Sequence, residues 1–160
     1  MKKVSWCPGC GNFPIISAFK SAKQTLNLET KDYVIVSGIG QAAKLPHFME
    51  KINAFNGLHG RALPVATGIK LTNPKLKVLV FSGDGDLLSE GGNHFIHTAR
   101  RNIGITCFLH NNQVYGLTKG QASPTTDINF TTKIQYYGVV SHPIFPLQLA
   151  LISGAGFVAR

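Results

Sequence analysis

Acidic side chains are scarce in this chain. Of its 160 residues only seven are Asp or Glu, against sixteen Lys and Arg, for a formal net charge of +9. The seven are Glu29, Asp32, Glu50, Asp84, Asp86, Glu90 and Asp127. Cysteine is scarcer: three residues, too few and too unevenly spaced for a disulfide framework. No apolar run approaches the length that crosses a bilayer, so no membrane association is expected. No basic run interleaves with aromatics. The cations are scattered, at Lys20, Lys23, Lys44, Lys51, Lys70, Lys75 and Lys77 among others, which argues against a nucleic-acid surface. Such charge suits an anionic substrate, a diphosphate or an acidic redox partner, or simply a solvated surface. There is no internal repeat and no low-complexity linker. Met1-Lys2-Lys3-Val4-Ser5-Trp6 is basic but leads into Cys-Pro-Gly-Cys, not an apolar targeting core, so a cytoplasmic protein is expected. What is present is a core: 44% hydrophobic and 9% aromatic residues, enough for one domain over 1–160.

The informative stretch runs from Gly83 to Asn112. Val78-Leu79-Val80-Phe81 leads into Gly83-Asp84-Gly85-Asp86, and Ile105-Thr106-Cys107-Phe108-Leu109 leads into Asn111-Asn112. Both runs are short, β-branched or aromatic, and bounded by turn residues, so they read as buried strands. Leu87 to Arg101 is long enough for a crossover helix, with Glu90 early and Arg100-Arg101 late, as a helix dipole prefers. A strand–helix–strand unit puts ligands at the carboxyl ends of its strands. The chemistry that suits those ends is a divalent metal holding a diphosphate. Asp84 offers a carboxylate oxygen, Asn112 an amide oxygen and Val114 a backbone carbonyl, the hard donors that Mg²⁺ combines with phosphate and water. Gly83 and Gly85 let backbone N–H groups approach phosphate.

Other stretches assemble around this unit. In Cys7-Pro8-Gly9-Cys10 a tight turn aims two thiols at one point, which suits zinc, an iron–sulfur cluster, a redox dithiol or an unligated loop. Asn12 is expected to cap a helix from Phe13 to Leu26, with Ile15, Ile16, Phe19, Ala22 and Leu26 at helical spacing. Tyr33-Val34-Ile35-Val36-Ser37 reads as the first strand and Gly38-Ile39-Gly40 as the loop at its carboxyl end, facing the same ligand as Asp84. His59 and Arg61, in a glycine-rich turn, are good phosphate donors. Pro64 suits the first turn of a helix to about Leu71. Val114 to Gly120 forms a loop over the metal, where Thr118 can donate to phosphate. Cys107 reads as packing, and Ser123-Pro124-Thr125-Thr126 as an ordered turn. Phe145 to Ser153 reads as a helix ended by Gly154, and Gly156 to Arg160 as the start of a last strand.

Gly-Asp-Gly followed after 25 residues by Asn-Asn resembles the thiamine diphosphate fingerprint. The flanks Gly91-Gly92-Asn93-His94-Phe95-Ile96-His97, Arg100-Arg101-Asn102 and Asn112-Gln113-Val114-Tyr115-Gly116-Leu117-Thr118-Lys119-Gly120-Gln121-Ala122-Ser123-Pro124-Thr125-Thr126 make the chain similar to the β subunit of 2-oxoacid:ferredoxin oxidoreductases. The resemblance runs from Trp6 to Arg160. It implies an α/β thiamine diphosphate-binding fold, a mostly parallel central sheet flanked by helices on both faces, with the C-terminal part of the family domain beyond residue 160. It implies oxidative decarboxylation of a 2-oxoacid, 2-oxoglutarate or pyruvate, to acyl-CoA and CO₂, with electrons passed to ferredoxin. The implied cofactors are thiamine diphosphate, Mg²⁺ and a [4Fe–4S] cluster. Residues matching the cofactor site are Ile39, Gly40, Gln41, His59, Gly60, Arg61, Gly83, Asp84, Gly85, Asp86, Asn112, Val114, Gly116, Leu117 and Thr118. Asp84, Asn112 and Val114 would hold Mg²⁺, and Lys44, Leu117 and Lys119 would meet substrate. Cys7 and Cys10 match two of four cluster ligands, the third place holds Gln41, and the fourth lies beyond residue 160. No acidic residue here has the setting of the glutamate that activates the coenzyme; the resemblance assigns it to an α subunit, so the chain alone is expected to turn nothing over. Implied partners are that α subunit, further γ and δ subunits, ferredoxin, the 2-oxoacid and coenzyme A. Two other readings stand beside it: a truncated, catalytically incompetent assembly fragment, and a non-redox thiamine diphosphate decarboxylase or synthase.

Overall fold

The computed structural model describes residues 4–160; the basic start at Met1-Lys2-Lys3 lies outside the described residues. Four strands, β1 (Tyr33–Ser37), β2 (Ala54–Asn56), β3 (Lys77–Gly83) and β4 (Ile105–His110), form one parallel sheet in the order β2-β1-β3-β4. Their side chains alternate between two apolar layers. Val36, Val78 and Val80 pack with Ala62, Leu63, Ala66 and Phe95 on one face, from helices α2 (Ala62–Thr72) and α3 (Gly92–Arg101). Tyr33, Ile35 and Phe81 pack on the other with Ile16 and Phe19 of helix α1 (Asn12–Thr25), with Trp6, and with Leu45 of a 3₁₀ turn, Ala42–Phe48. A sheet covered on both faces needs apolar residues at consecutive positions, which is why β1 and β3 read as unbroken apolar runs. The α/β sheet with helices on both faces is as expected.

Several expectations are corrected. The crossover over Leu87 to Arg101 is not one helix: a π-helical turn, Gly85–Glu90, comes first, and α3 starts only after Gly91. The widened turn brings Gly91 against three carbonyls, where a Cβ would lie 2.9 Å from those of Asp86 and Gly60 and 3.0 Å from that of Leu87. Asn12 does not cap α1; Gly11 holds that place, and Asn12 is buried inside the first turn. Pro64 lies in the first turn of α2, as expected, and the helix runs one residue past Leu71 to Thr72. Gly156 to Arg160 forms no strand. Gly156 N–H instead donates to Asn102 Oδ1 at 3.3 Å, tying the segment to the end of α3 rather than to the sheet. Cys107 is exposed, because β4 is an edge strand with an uncovered outer side. Strand β2 escaped the sequence reading, since Ala-Phe-Asn is exposed and carries no apolar pattern. Helix α4 (Pro146–Ile152) lies within the expected Phe145 to Ser153, and a hairpin pairs β5 (Val114–Tyr115) with β6 (Gln121–Ala122).

Candidate coenzyme and metal site

Because the strands are parallel, their carboxyl ends share one edge of the sheet. Ser37 is level with Phe81, and Gly83 with His110. The loops after them, Gly38-Ile39-Gly40, Asp84-Gly85-Asp86 and Asn111-Asn112, therefore meet at that edge. The two carboxylates there differ sharply.

Asp86 is 2% exposed and its oxygens are taken. Oδ1 accepts from Ile39 N–H at 3.1 Å, Gly60 N–H at 2.8 Å and His59 Nδ1 at 2.5 Å, and Oδ2 accepts from the Ser82 hydroxyl. Its work is to lock together the ends of β1 and β3 and the His59-Gly60 turn. The approach is so close that a methyl on Gly38 would overlap the Asp86 carboxylate, which explains a glycine there better than a phosphate does. His59, its Nδ1 committed to Asp86, keeps Nε2 for another partner, with its ring edge-on to Tyr115. Arg61 caps α2 and donates from Nη1 to the Glu90 carbonyl at 3.1 Å, its guanidinium otherwise exposed.

Asp84 is buried more deeply, at 1% exposure. Its Oδ2 accepts from Ser123 Oγ at 2.5 Å and Thr125 Oγ1 at 2.6 Å. Among the described residues no hydrogen bond reaches Oδ1 and no cationic side chain pairs with this carboxylate. A buried anion without a counter-charge costs several kcal/mol. One oxygen held by neutral donors and one left over is the donor set of a cation site. The amide loop lies beside it, with the Asn111 side-chain amide against Thr125, 2.7 Å from Oδ1 to Oγ1. Asn112 Oδ1 accepts from Val114 N–H at 3.3 Å, folding the proposed ligands Asn112 and Val114 into one turn around Gln113, whose φ is 58°. A carboxylate, a side-chain amide and a backbone carbonyl are the oxygen donors that suit Mg²⁺, which completes its octahedron with phosphate and water.

The remaining residues distribute unevenly. Gly116 sits between Gln41 and Asn112, a Cβ on it being 3.6 Å from Gln41 Cγ and 3.7 Å from Asn112 Nδ2. A cleft of about 360 Å³ is lined by Ile39, Gly40, Lys44 and Leu117, with Ser5 and Phe48 at its wall. Lys44 Nζ is held 3.4 Å from Ser5 Oγ. Lys119 is not among the residues lining this cleft, and its backbone has a φ of 79°. The Thr118 hydroxyl, expected to face phosphate, donates to Gln121 Oε1 at 2.5 Å across the hairpin turn. His110, buried at the end of β4, has its pKa pushed down to about 4 by desolvation and, as a neutral ring, donates from Nδ1 to Asn12 Oδ1 at 2.7 Å. That bond is why Asn12 is inside α1 rather than capping it.

The Cys7–Cys10 turn is closed by Cys10 N–H on the Cys7 carbonyl at 3.1 Å, and both thiols are free. Trp6 Nε1–H donates to the Gln41 carbonyl at 2.8 Å, so Gln41 lies against the turn, but it brings an amide and not a thiolate. A [4Fe–4S] cluster takes four thiolates, and this turn supplies two. Among the described residues no three His, Cys, Asp or Glu converge on a metal position. These residues do not by themselves make a cluster site.

The hydroxyls of Ser82, Ser123, Thr125 and Thr126 were not singled out as site residues by sequence reasoning. The available signal was three hydroxyls within Ser123-Pro124-Thr125-Thr126, but nothing in the chain's order says which carboxylate they reach.

A parallel sheet covered by helices on both faces, with a buried carboxylate at its carboxyl edge, is an α/β domain of the kind that places ligands at that edge. Residues 35–160 match the family described as thiamine pyrophosphate enzyme, C-terminal TPP binding domain, and the chain belongs to that family. It is 52% identical over 156 residues to the 2-oxoacid:ferredoxin oxidoreductase subunit beta of Saccharolobus solfataricus, covering 97% of this chain and 51% of that protein. It is 45% identical over 159 residues to the 2-oxoglutarate oxidoreductase subunit KorB of Mycobacterium tuberculosis, covering 99% and 42% respectively. A solved 2-oxoglutarate:ferredoxin oxidoreductase from Magnetococcus marinus, with 2-oxoglutarate, coenzyme A and succinyl-CoA bound, superposes with a TM-score of 0.92 at 41% identity over 96% of this chain and 52% of that one. The chain thus spans about half the length of these relatives.

Proposed function

We propose that this chain is the thiamine diphosphate- and Mg²⁺-binding β subunit of a 2-oxoacid:ferredoxin oxidoreductase, working in the cytoplasm with an α subunit. The observation that carries the reading is Asp84: an anion at the carboxyl edge of the sheet, 1% exposed, unpaired, with Oδ1 free. Asp84, Asn112 and the Val114 carbonyl would hold Mg²⁺, which would supply positive charge for a diphosphate. When bound, the coenzyme supplies a carbon nucleophile and electron sink for decarboxylation of the 2-oxoacid. His59, held by Asp86, presents Nε2 towards the diphosphate, with Arg61, Gly40, Gln41, Gly60, Gly116 and Thr118 around it. Lys44 and Leu117 form the substrate end of the cleft, where the lysine attracts the substrate's carboxylate. Coenzyme A accepts the acyl group and ferredoxin the electrons.

The test is co-expression with the α subunit, then metal analysis and a panel of 2-oxoacids. Ferredoxin reduction by the complex, absent from the chain alone and from a complex carrying Asp84→Asn, is the expected result. Turnover by the chain alone, or full activity in the Asp84→Asn complex, would overturn the assignment. The two-thiol turn beside Gln41 favours a second reading, a thiamine diphosphate decarboxylase or synthase without electron transfer. Aldehyde or an acetohydroxy acid in place of acyl-CoA would select it.

A further inference from the structure

We propose that Ser123, Thr125 and Thr126 are positioning residues for the divalent cation, linking its carboxylate ligand to its amide and carbonyl ligands; the inference rests on the metal reading above. Ser123 and Thr125 both act on Asp84 Oδ2, at 2.5 and 2.6 Å, and leave Oδ1 alone. Two bonds on one oxygen fix the carboxylate's rotation, so the free oxygen has one direction in which to point. The donors are neutral hydroxyls. They orient the anion without cancelling its charge, which a lysine or arginine at the same place would do.

The same four-residue turn grips the other side of the site. Thr125 Oγ1 lies 2.7 Å from Asn111 Oδ1, and Thr126 Oγ1 donates to the Gln113 carbonyl at 2.6 Å while accepting from Ser123 N–H at 2.8 Å. Gln113 answers with Nε2 on the Thr125 carbonyl at 2.8 Å. Gln113 stands between Asn112 and Val114, the two further ligands, in a left-handed conformation that such tethers hold in place. Ser123, Thr125 and Thr126 are all buried. The turn therefore sets the distance between ligand groups on adjacent strand ends, and removing partners of this kind weakens metal binding by about 10–100-fold.

The full chain, titrated with Mn²⁺ in the presence of thiamine diphosphate and followed by the loss of the free-ion electron paramagnetic resonance signal, reads the site without turnover. Thr125→Val and Ser123→Ala should raise the Mn²⁺ dissociation constant about 10–100-fold, whereas Thr125→Ser, which restores the hydroxyl, should bind as the unaltered chain does. Melting curves without metal or coenzyme score folding separately. Unchanged Mn²⁺ affinity in both hydroxyl-deleted variants, alongside loss of binding in Asp84→Asn, overturns the positioning role and leaves the metal site standing. Failure of the unaltered chain to bind Mn²⁺ overturns the metal reading, and this inference with it.

Discussion

Two carboxylates two residues apart are assigned opposite work by their neighbours. Asp86 faces four donors, the backbone N–H groups of Ile39 and Gly60, the Ser82 hydroxyl and His59 Nδ1, and is fully satisfied by the protein. Asp84 faces two hydroxyls, both on one oxygen, and is not. Asp86→Asn places an NH₂ group against buried donors, so it should cost about 1–3 kcal/mol of stability, read as a lowered urea midpoint. A loss under about 1 kcal/mol would mean that the network around Asp86 carries little of the fold. Asp84→Asn removes a charge that no cationic side chain among the described residues pairs with, so its loss should appear in metal binding far more than in the apo melting curve.

Among the elements, the π-helical turn Gly85–Glu90 decides where the site's backbone lies. A regular α-helix from Leu87 would satisfy the amphipathic pattern equally well. The extra residue per turn, a feature concentrated at functional sites, carries Asp86 inward to 2% exposure and packs Gly91 between the carbonyls of Asp86, Gly60 and Leu87. Gly91→Ala would push a methyl to about 3 Å of those oxygens, and overpacking of this kind costs roughly 1–3 kcal/mol. Displacement of the Gly60 and Asp86 backbones should also weaken coenzyme binding, measured by quenching of protein fluorescence on titration with thiamine diphosphate. A Gly91→Ala chain with wild-type melting temperature and affinity would show that the turn tolerates repacking.

At the scale of the molecule, the apolar side chains divide into a core and an uncovered face. Trp6, Tyr33, Ile35, Phe81 and their neighbours are buried. Phe130, Ile134, Tyr136, Tyr137, Val140 and Phe145 are exposed on the segment before α4, and Phe108 on the outer side of β4. Exposed apolar side chains this close in sequence are where an apolar dye should bind. The chain alone should enhance the fluorescence of anilinonaphthalene sulfonate, and the pair Tyr137→Asp and Val140→Asp should reduce that enhancement without lowering the melting temperature. An unchanged signal would place the dye elsewhere. No helix among the described residues is long and apolar enough to cross a membrane.

Strands β1, β3 and β4, the helices around them and the Gly-Asp-Gly and Asn-Asn ends were legible in the amino-acid order, because buried parallel strands and their turns are written in local runs of residue type. That order also marks Asp84, Asn112, His59, Lys44 and Leu117 as chemistry-bearing groups. What it could not assign was contact across the chain. Asp86 was read as a ligand and is a lock; Asn12 was read as a cap and is the acceptor for His110, 98 residues away. Ser123, Thr125 and Thr126 were read as an ordered turn, which they form, but their bonds to Asp84 and the Gln113 carbonyl were not foreseen. Hydroxyls have no periodicity, and the Thr125 hydroxyl meets Asp84 41 residues distant. Only the folded sheet, by bringing three strand ends to one edge, decides which oxygen meets which hydroxyl and which meets none.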